Sequence, residues 1–270
     1  MNTKNLVVYL FTKYDDNTSL LNFIKKYIKH PAGKIHKLLI CFKLIEKEKI
    51  LLLESFLKKI NYIKFIDPYR YNDFDFGSYK RVAMLYPKYN ILFLNSHSYP
   101  NTDMWLSKLL RYNENKTLIA TSASYESLYT SLKLKKFYKF FSYLKKKLDY
   151  KNKFYSFPNP HIRTASFLIK GSDFIKYIKN KKIVNKEDAW QIESGKNNIT
   201  NFFKQKKYKI LIVNSDGEKF GLDNCKFSET FNYRTQKKCI ISDKHTRKYI
   251  KSTNYEKKLF EFSTWGKQTY

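Results

Sequence analysis

Residues 90–106 read NILFLNSHSYPNTDMWL, and this stretch decides the predicted fold. The apolar run at 91–94 has the length of a buried strand, and it breaks into a polar loop before a helical pattern begins. In open α/β sheets the ligand crevice lies outside the carboxyl ends of the strands. We therefore expect Asn95, Ser96, His97 and Ser98 to lie at a binding site.

The rest of the chain alternates between short apolar runs and amphipathic helical patterns. The predicted strands cover residues 6–11, 38–42, 62–66, 91–94, 117–121, 165–169 and 209–213. The predicted helices cover about 17–30, 46–60, 77–86, 103–111, 172–179 and 198–206. This alternation predicts an α/β fold, in which a mostly parallel sheet carries helices on both faces.

Residues 1–213 carry this alternation, and we predict that they form one domain. The pattern weakens afterwards, so residues 214–270 are interpreted as a C-terminal extension packed on that domain, with a short helix near 243–251. Residues 124–150 differ, because lysines there interleave with Leu, Phe and Tyr. A basic amphipathic helix of this kind is typical of an anchor at a membrane surface. We favour instead a helix packed on the sheet with its lysines outward, since ordinary surface helices show the same pattern.

The composition fits a globular protein. Of 270 residues, 43% are hydrophobic and only 7 are Gly and 6 Pro, which argues against disorder or a long flexible linker. No apolar run has the length of a membrane-spanning helix, and the N-terminal MNTKN leads directly into a strand pattern, so we expect no secretory signal. Three cysteines without metal-ligand spacing fit reduced thiols. The expected location is cytoplasmic, with peripheral contact at the inner membrane face as an addition.

The formal net charge of +30 predicts attraction to polyanions such as nucleic acid, anionic lipid or phosphorylated substrates. Only six of the 53 basic residues are Arg, the side chain that most often contacts bases and phosphates. Because no nucleic-acid-binding motif is present either, we expect no nucleic-acid partner, and a polyanion-binding protein is the least favoured function. Most of the charge is interpreted as lysine on solvated faces, and an anionic membrane is the partner that it leaves open.

Seven short motifs resemble, in their order and spacing, those of one group of enzymes. They are HPAG at 30–33, FDFGSY at 74–79, FLNSHS at 93–98, TSASYES at 121–127, PNPHIRT at 158–164, ESGKN at 193–197 and NSDG at 214–217. The chain looks like bacterial glycosyltransferase-like proteins related to family 2 GT-A enzymes and to rhamnan-synthesis proteins. The resemblance implies a GT-A fold over residues 1–213. It also implies inverting transfer of a sugar from a nucleotide-sugar donor to a cell-surface glycan or a lipid-linked acceptor.

The same resemblance implies that the donor binds around residues 74–81. Asp75 is the candidate ligand of the nucleobase or ribose, and Gly77 would permit close approach of the backbone at a helix N-terminus. Arg81, one helical turn further on, would reach a phosphate. The alternatives are structural. Asp75 would cap the helix, where Asp is strongly preferred, and Arg81 would form an ion pair with a neighbour such as Asp75.

Similar enzymes place a metal-binding Asp-x-Asp where this chain has Asn95, Ser96 and His97. Hard divalent ions prefer carboxylate oxygens, so we expect weak dependence on Mn or Mg, or none, with His97 as the candidate ligand. His97 as an ordinary exposed imidazole is the alternative. Asn95, Ser96 and His97 are also the candidate contacts of the donor at this position.

Without a metal, the charge of the diphosphate would be met by cations, for which the candidates are Lys80, Arg81, His161 and Arg163. His161 and Arg163 lie in a loop that Pro158 and Pro160 hold extended, and ordered loops on rigid scaffolds often carry binding residues. The pair could therefore bind either a phosphate or the acceptor. Alternatively, the prolines only shape a turn.

Inverting transfer to a hydroxyl needs one carboxylate that acts as general base. In similar enzymes it comes just before a helix that leads into the last core strand, and Glu193 and Asp188 fit this description. Glu193 matches the spacing better, while Asp188 is the reserve and is favoured as a helix cap. Because the Asp-x-Asp is absent, the second hypothesis is a catalytically inactive relative that binds a glycan or nucleotide.

Overall fold

The structure, a computed structural model, describes residues 4–267, and within that range its centre is a sheet of eight strands. The strands in chain order are β1 (Asn5–Thr12), β2 (Lys37–Lys43), β3 (Ile63–Ile66), β4 (Asn90–Leu94), β5 (Tyr99–Pro100), β6 (Thr117–Ala120), β7 (Ala123–Ser124), β8 (His161–Ile162), β9 (Ser166–Lys170), β10 (Lys209–Val213), β11 (Lys219–Phe220) and β12 (Ile241–Ser242). The helices are α1 (Asn17–Lys29), α2 (Lys47–Leu57), α3 (Phe74–Leu85), α4 (Trp105–Leu110), α5 (Leu128–Ser131), α6 (Phe140–Lys153), α7 (Gly171–Ile178), α8 (Lys186–Ser194), α9 (Ile199–Gln205), α10 (Lys244–Lys251) and α11 (Asn254–Trp265).

The central sheet has the strand order β11-β10-β6-β9-β4-β1-β2-β3, and all seven predicted strands lie in it. The β1 strand pairs in parallel with β2 and β4, β2 pairs in parallel with β3, and β6 with β10. The predicted mostly parallel sheet is therefore confirmed. The exceptions are β9, which is antiparallel to both β4 and β6, and the edge strand β11.

The reversed direction of β9 follows from the path of the chain between β6 and β9. The short strands β7 and β8 pair antiparallel, with Ala123 opposite Ile162. The chain thus leaves the carboxyl end of β6 and returns at that same end, without a crossover helix on the sheet. Since β9 starts there, it must run back against its neighbours. Its first residues consequently lie at the edge where the parallel strands end.

Helices cover both faces of the sheet, as predicted. The β1 side chains alternate between the faces: Val8 packs in one buried cluster and Tyr9 in the other. The first cluster contains side chains of α3, α7, α8 and α9, and the second contains side chains of α1, α2 and α4. Burial on both faces explains why the strands read as nearly continuous apolar runs in the sequence.

Residues 128–153 do not pack on the sheet, so the favoured interpretation of this segment is wrong. The segment forms α5, a short 3-10 turn at Phe137–Lys139, and α6. Within α6 the one buried side chain is Tyr150. No helix within residues 4–267 is long and apolar enough to cross a membrane.

The residues after β10 fold back over the carboxyl edge of the sheet. There β12 pairs antiparallel with β5, and Trp265 of α11 donates from its indole N–H to the backbone oxygen of Asn232 at 2.9 Å. The predicted short helix near 243–251 is α10, which begins after Asp243. Whether residues 214–270 are a separable extension stays a prediction.

Candidate active site

A cavity of about 240 Å³ lies at the carboxyl edge of the sheet, where the sequence predicted a binding site. It is bounded by the start of α3, the loop after β4, the entry to β9, one face of α8 and the start of α10. Its lining residues are Phe74, Asp75, Phe76, Asn95, His97, Arg163, Thr164, Ala165, Lys186, Ala189, Trp190, Glu193, Asp243, Lys244 and His245. Of the predicted site residues, Asp75, Asn95, His97, Arg163 and Glu193 therefore come together.

The loop after β4 is a tight turn built on Asn95. Its side-chain oxygen accepts hydrogen bonds from the backbone N–H of His97 at 3.2 Å and from the hydroxyl of Ser98 at 2.7 Å. Asn is favoured in such turns because its short side chain bonds to the backbone two residues on. The predicted donor contact Asn95 thus has a structural role in addition to its place in the cavity wall.

Asp15, which the sequence patterns did not predict as a site residue, supports this loop. The Asp15 carboxylate accepts hydrogen bonds from the backbone and side chain of Thr12 at the end of β1, and from the Ser96 hydroxyl at 2.8 Å. Its Oδ1 atom also lies 3.5 Å from Nε2 of His97. Ser96 itself is buried beneath the loop and does not line the cavity. The position just after the first strand was the one available signal for Asp15.

Asp75 is the acid of the cavity whose pKa is raised. It lies half-buried in the first turn of α3 and has no hydrogen-bond or ion-pair partner within the described part of the chain. Burial, together with the negative charges of Asp15 and Glu193, raises its pKa to about 6, against the opposing charge of Lys43. An acid that keeps its charge unsatisfied at a cavity wall is typical of a functional site. The preceding residue, Phe74, has φ of +52°, a backbone conformation that costs energy in a non-glycine residue.

Glu193 lies in the last turn of α8, and α9 and then β10 follow it in the chain, which is the order that the sequence predicted. Its Oε1 atom accepts the backbone N–H of Thr164 at 2.9 Å, which fixes the carboxylate against the entry to β9. Its Oε2 atom has no partner among residues 4–267. One carboxylate oxygen is thus held in place while the other remains free to accept a proton in the cavity.

Arg163 lines the cavity, but its charge is already neutralised. Its guanidinium lies 2.7 Å from the carboxylate of Asp243 and stacks over the ring of Phe231 at 3.7 Å. Although burial pushes the pKa of Asp243 up, the charge of Arg163 and the N–H of Thr246 hold it below its usual value. Arg163 therefore joins the C-terminal residues to the entry of β9 and is a weak candidate for binding phosphate.

His161 is buried behind the cavity and does not line it. Its Nδ1 atom donates to the backbone oxygen of Asn159 at 2.7 Å. Burial lowers the pKa of His161, helped by the charge of Arg163 and opposed by that of Glu193. The ring is consequently neutral at neutral pH, so it offers no positive charge to a diphosphate.

The start of α10 supplies a part of the site that the sequence did not predict. Asp243, Lys244 and His245 all line the cavity. Further along the same helix, Arg247 donates to the backbone oxygen of His97 at 3.0 Å and so helps to fix the loop after β4. The exposed cations Lys244 and Lys186 have no acidic partner within residues 4–267, in contrast to Arg163. They are the cations that the cavity offers to an anionic ligand.

Arg81 belongs to a different group of residues, which we call the buried ion cluster: Lys43, Asp67, Asp73, Ser78 and Arg81. Gly77 packs against this cluster. Arg81 donates to Asp67 at 2.5 Å and to Asp73 at 2.6 Å, and Lys43 is paired with Asp73. A side chain at Gly77 would collide with the Asp73 carboxylate, so glycine is required for packing at this position. Neither Gly77 nor Arg81 lines the cavity, and the partners of Arg81 are Asp67 and Asp73, not Asp75.

Two further candidates are held in hydrogen bonds to the backbone. Lys80 donates to the backbone oxygen of Lys179 at 2.6 Å. Asp188 forms a capping box with Asn185 at the start of α8 and accepts the N–H of Val184 at 2.8 Å. Neither lines the cavity, and the place of Asp188 fits the capping interpretation.

The residues at the Asp-x-Asp position do not fit a divalent metal ion as they stand. The Asn95 oxygen already accepts two hydrogen bonds, the carboxylate of Asp243 is paired with Arg163, and His97 faces Asp15. Within residues 4–267, no group of three or more His, Cys, Asp or Glu side chains is placed to hold a metal.

No protein-family model matches the sequence, and no curated protein matches it either. Among solved structures, the chain is similar to WbbM, a bifunctional glycosyltransferase (12% identity, TM-score 0.42, covering 79% of this chain and 39% of that one). It is also similar to the glycosyltransferase GlyE of Streptococcus pneumoniae TIGR4 (14%, 0.41, 78% and 45%). A third is the 4-diphosphocytidyl-2C-methyl-D-erythritol synthase of Anaerococcus prevotii DSM 20548 (11%, 0.47, 78% and 88%). The chain spans less than half the length of the first two, and at these identities the likeness concerns the fold alone.

Proposed function

We propose that this chain is a GT-A-type glycosyltransferase that moves a sugar, with inversion, from a nucleotide-sugar donor to a cell-surface glycan or lipid-linked acceptor. The observation that carries the proposal is Glu193. One of its carboxylate oxygens is fixed by the N–H of Thr164, and the other is free in a cavity at the carboxyl edge of the sheet. A positioned carboxylate with a free oxygen is what a general base requires.

In the proposed reaction, Glu193 accepts the proton of an acceptor hydroxyl through Oε2. The hydroxyl oxygen then forms a bond to the anomeric carbon of the donor sugar as the bond from that carbon to the nucleoside diphosphate breaks. The proton stays on Glu193 and the electron pair leaves with the diphosphate. The hydrogen bond from Thr164 keeps the carboxylate in one orientation, which lowers the entropic cost of reaching the reactive geometry.

The donor is proposed to lie along the cavity between Asp75 and the start of α10. Asp75 would accept hydrogen bonds from the nucleobase or ribose, because its side chain has no partner among residues 4–267. Lys186 and Lys244 would meet the charge of the diphosphate, and His245 lies beside them. Lys186 and Lys244 thus take the role that the sequence suggested for other cations. Of those, Arg81 and Arg163 are paired with acids and His161 is neutral.

A thermal-shift panel with UDP-, GDP-, dTDP- and CMP-sugars, each with and without Mn²⁺, tests donor binding. A donor at one hundred times its dissociation constant should stabilise the protein by about 2.7 kcal/mol, and we expect this for one nucleotide class. The Asp75→Asn variant should lose that shift, while Glu193→Gln should keep it. An equal shift for Asp75→Asn and the unmodified protein would remove Asp75 from the donor site, and no shift with any donor would contradict the proposal.

A non-catalytic relative that binds a nucleotide or glycan is the second candidate. The observation that favours it is Asn95, which stands where similar enzymes carry a carboxylate and is already engaged in its own turn. This candidate predicts a donor-dependent thermal shift without release of nucleoside diphosphate, even with a range of glycan and lipid-linked acceptors. Release of nucleoside diphosphate that depends on an acceptor and on Glu193 would exclude it.

A further inference from the structure

Residues 132–151, which we call the basic arm, project from the domain and expose most of their apolar side chains to solvent. These side chains are Phe137, Tyr138, Phe140, Phe141, Leu144 and Leu148, and Phe137 and Phe141 are 87% and 83% exposed. Exposed apolar residues scattered singly are normal on a protein surface, but a contiguous group of large ones marks a surface that is covered by a partner.

The apolar residues of α6 form one stripe. At 100° per residue, Phe140, Phe141, Leu144 and Leu148 fall within a single arc of about 100°. The domain lies on a different side of the helix, where Tyr150 is buried and Lys153 pairs with Glu187 of α8 at 2.5 Å. The stripe therefore faces away from the domain that anchors the helix.

The basic arm also carries a dense positive charge. It contains eight lysines and no arginine, against the single acidic residue Asp149. Asp149 is paired with Lys153, which lies outside the arm, at 2.8 Å. None of the eight lysines forms an ion pair with an acidic side chain within the described range 4–267. Several instead lie over the arm's own aromatic rings, as Lys136 does over Tyr138 at 5.6 Å.

We propose that the basic arm binds the surface of an anionic lipid bilayer. A stripe of Phe and Leu flanked by lysines matches a layer in which acyl chains lie directly beneath negatively charged headgroups. A second copy of the chain fits poorly, because two arms packed stripe to stripe would bring sixteen lysines together. Nucleic acid fits poorly as well, since Leu144 and Leu148 cannot stack on bases and no Arg is present.

The base of the arm is joined to the candidate active site. Lys153 at the end of α6 pairs with Glu187 near the start of α8, and Glu193 lies in the last turn of that same helix. At 1.5 Å per residue, the two ends of this nine-residue helix are about 13 Å apart. The anchored end of the arm therefore lies close to the cavity, so a bilayer bound by the arm would be held beside the domain that contains the cavity. This part of the inference rests on the proposed function, because it favours an acceptor whose lipid stays in the membrane.

Vesicle co-sedimentation tests the binding itself, without any donor or acceptor, so its outcome is independent of the proposed transferase activity. Vesicles of phosphatidylcholine are compared with vesicles in which about a third of the lipid is phosphatidylglycerol, at low and high salt. We expect half-maximal binding at about ten-fold less lipid on the anionic vesicles, and loss of this preference in high salt. Equal binding to both vesicle types, or none to either, would overturn the proposal.

Matched variants distinguish vesicle binding by the arm from binding by the positive charge of the whole surface. Phe137→Ser/Phe141→Ser should raise the lipid concentration needed for half-maximal binding by about ten-fold. Its control is Leu51→Ser/Leu52→Ser on α2, where both side chains are also largely exposed. Lys145→Glu/Lys146→Glu/Lys147→Glu is compared in the same way with Lys47→Glu/Lys58→Glu/Lys59→Glu. Each variant should melt at the temperature of the unmodified protein, since the substituted side chains are solvent-exposed.

Two outcomes of these comparisons would contradict the inference. Equal loss of binding in the arm and control variants would assign vesicle binding to net charge alone. The other outcome is a protein that does not bind vesicles but forms a concentration-dependent dimer, which Phe137→Ser/Phe141→Ser abolishes. It would show that a second copy covers the stripe. Light scattering across a concentration series distinguishes this case.

Discussion

The buried ion cluster and the cavity lie side by side at the same edge of the sheet, yet they differ in how far their carboxylates are paired with other side chains. In the cluster, Asp67 and Asp73 share Lys43 and Arg81, and each carboxylate has several partners. In the cavity, Asp75 has no partner within residues 4–267 and Glu193 uses only one of its two oxygens.

The consequence is visible in the pKa values of two aspartates eight residues apart. Burial opposes the charged form of both, but Arg81 and Ser78 keep the pKa of Asp67 below its usual range. The pKa of Asp75 rises to about 6, because its acidic neighbours add to the effect of burial. Buried charges that satisfy one another are costly to separate, whereas an unsatisfied charge is retained at a cost and is available to a ligand.

The largest expected effect is on catalysis. Glu193→Gln should lower the turnover number by about 10²- to 10⁴-fold, because the amide cannot accept the acceptor's proton. The oxygen of Gln can still accept the N–H of Thr164, so the melting temperature and donor binding should change little. The measurement is release of nucleoside diphosphate with the donor that the thermal-shift panel identifies. Glu187→Gln, on the same helix outside the cavity, is the control, and equal turnover in the two variants would remove Glu193 as the base.

Next in size is the loss of a charge from the buried ion cluster. Asp67→Ala should lower the free energy of unfolding by about 3 kcal/mol, since it leaves Lys43 and Arg81 to share Asp73. Urea denaturation measures the loss. The exposed pair of Lys209 and Glu114 provides the comparison, because Glu114→Ala should change stability little. If both substitutions had the same small effect, the cluster would not have the structural role assigned to it.

Asp75→Asn should have a smaller effect of opposite sign. Because the folded pKa of about 6 lies above the usual value of 3.8, ionisation of Asp75 weakens the fold as pH rises from about 4 through 6. Removing the charge should therefore stabilise the protein at pH 7.5 by about 1–2 kcal/mol, allowing for partial solvent screening, and have no effect near pH 4. Chemical denaturation at both pH values checks this. A variant that is less stable than the unmodified protein at pH 7.5 would contradict the burial of an unsatisfied charge.

The smallest effect is expected at Asp188, the reserve candidate for the base. Asp188→Ala should cost about 1 kcal/mol of stability through loss of the capping box at the start of α8, and leave turnover within a few-fold. Comparing its turnover with that of Glu193→Gln sharpens the assignment of the base. A variant that is fully stable but inactive would reverse the roles of the two acids.

Much of the fold could be predicted because it is encoded in local patterns. Each of the seven predicted strands lies in the sheet. Six of them are largely buried, and a strand buried on both faces requires a short apolar run; the exception is the edge strand β3, where Lys64 and Ile66 are exposed. The same logic placed Asn95 and His97 at the cavity, because they follow such a run directly. The antiparallel direction of β9 was missed, since it depends on the pairing of β7 with β8, about forty residues apart in the chain.

The sequence by itself determined the α/β class, the position of the cavity at the carboxyl ends of the strands, and the presence there of Asp75 and Glu193. Only the tertiary structure decided which charges are free. It paired Arg81 with Asp67 and Asp73 and Arg163 with Asp243, and it brought Lys244 from the C-terminal residues to the cavity. The physical reason is that strand formation depends on neighbours in sequence, whereas the state of a charge depends on neighbours in space, and these come from segments up to 150 residues apart, such as Arg247 and His97.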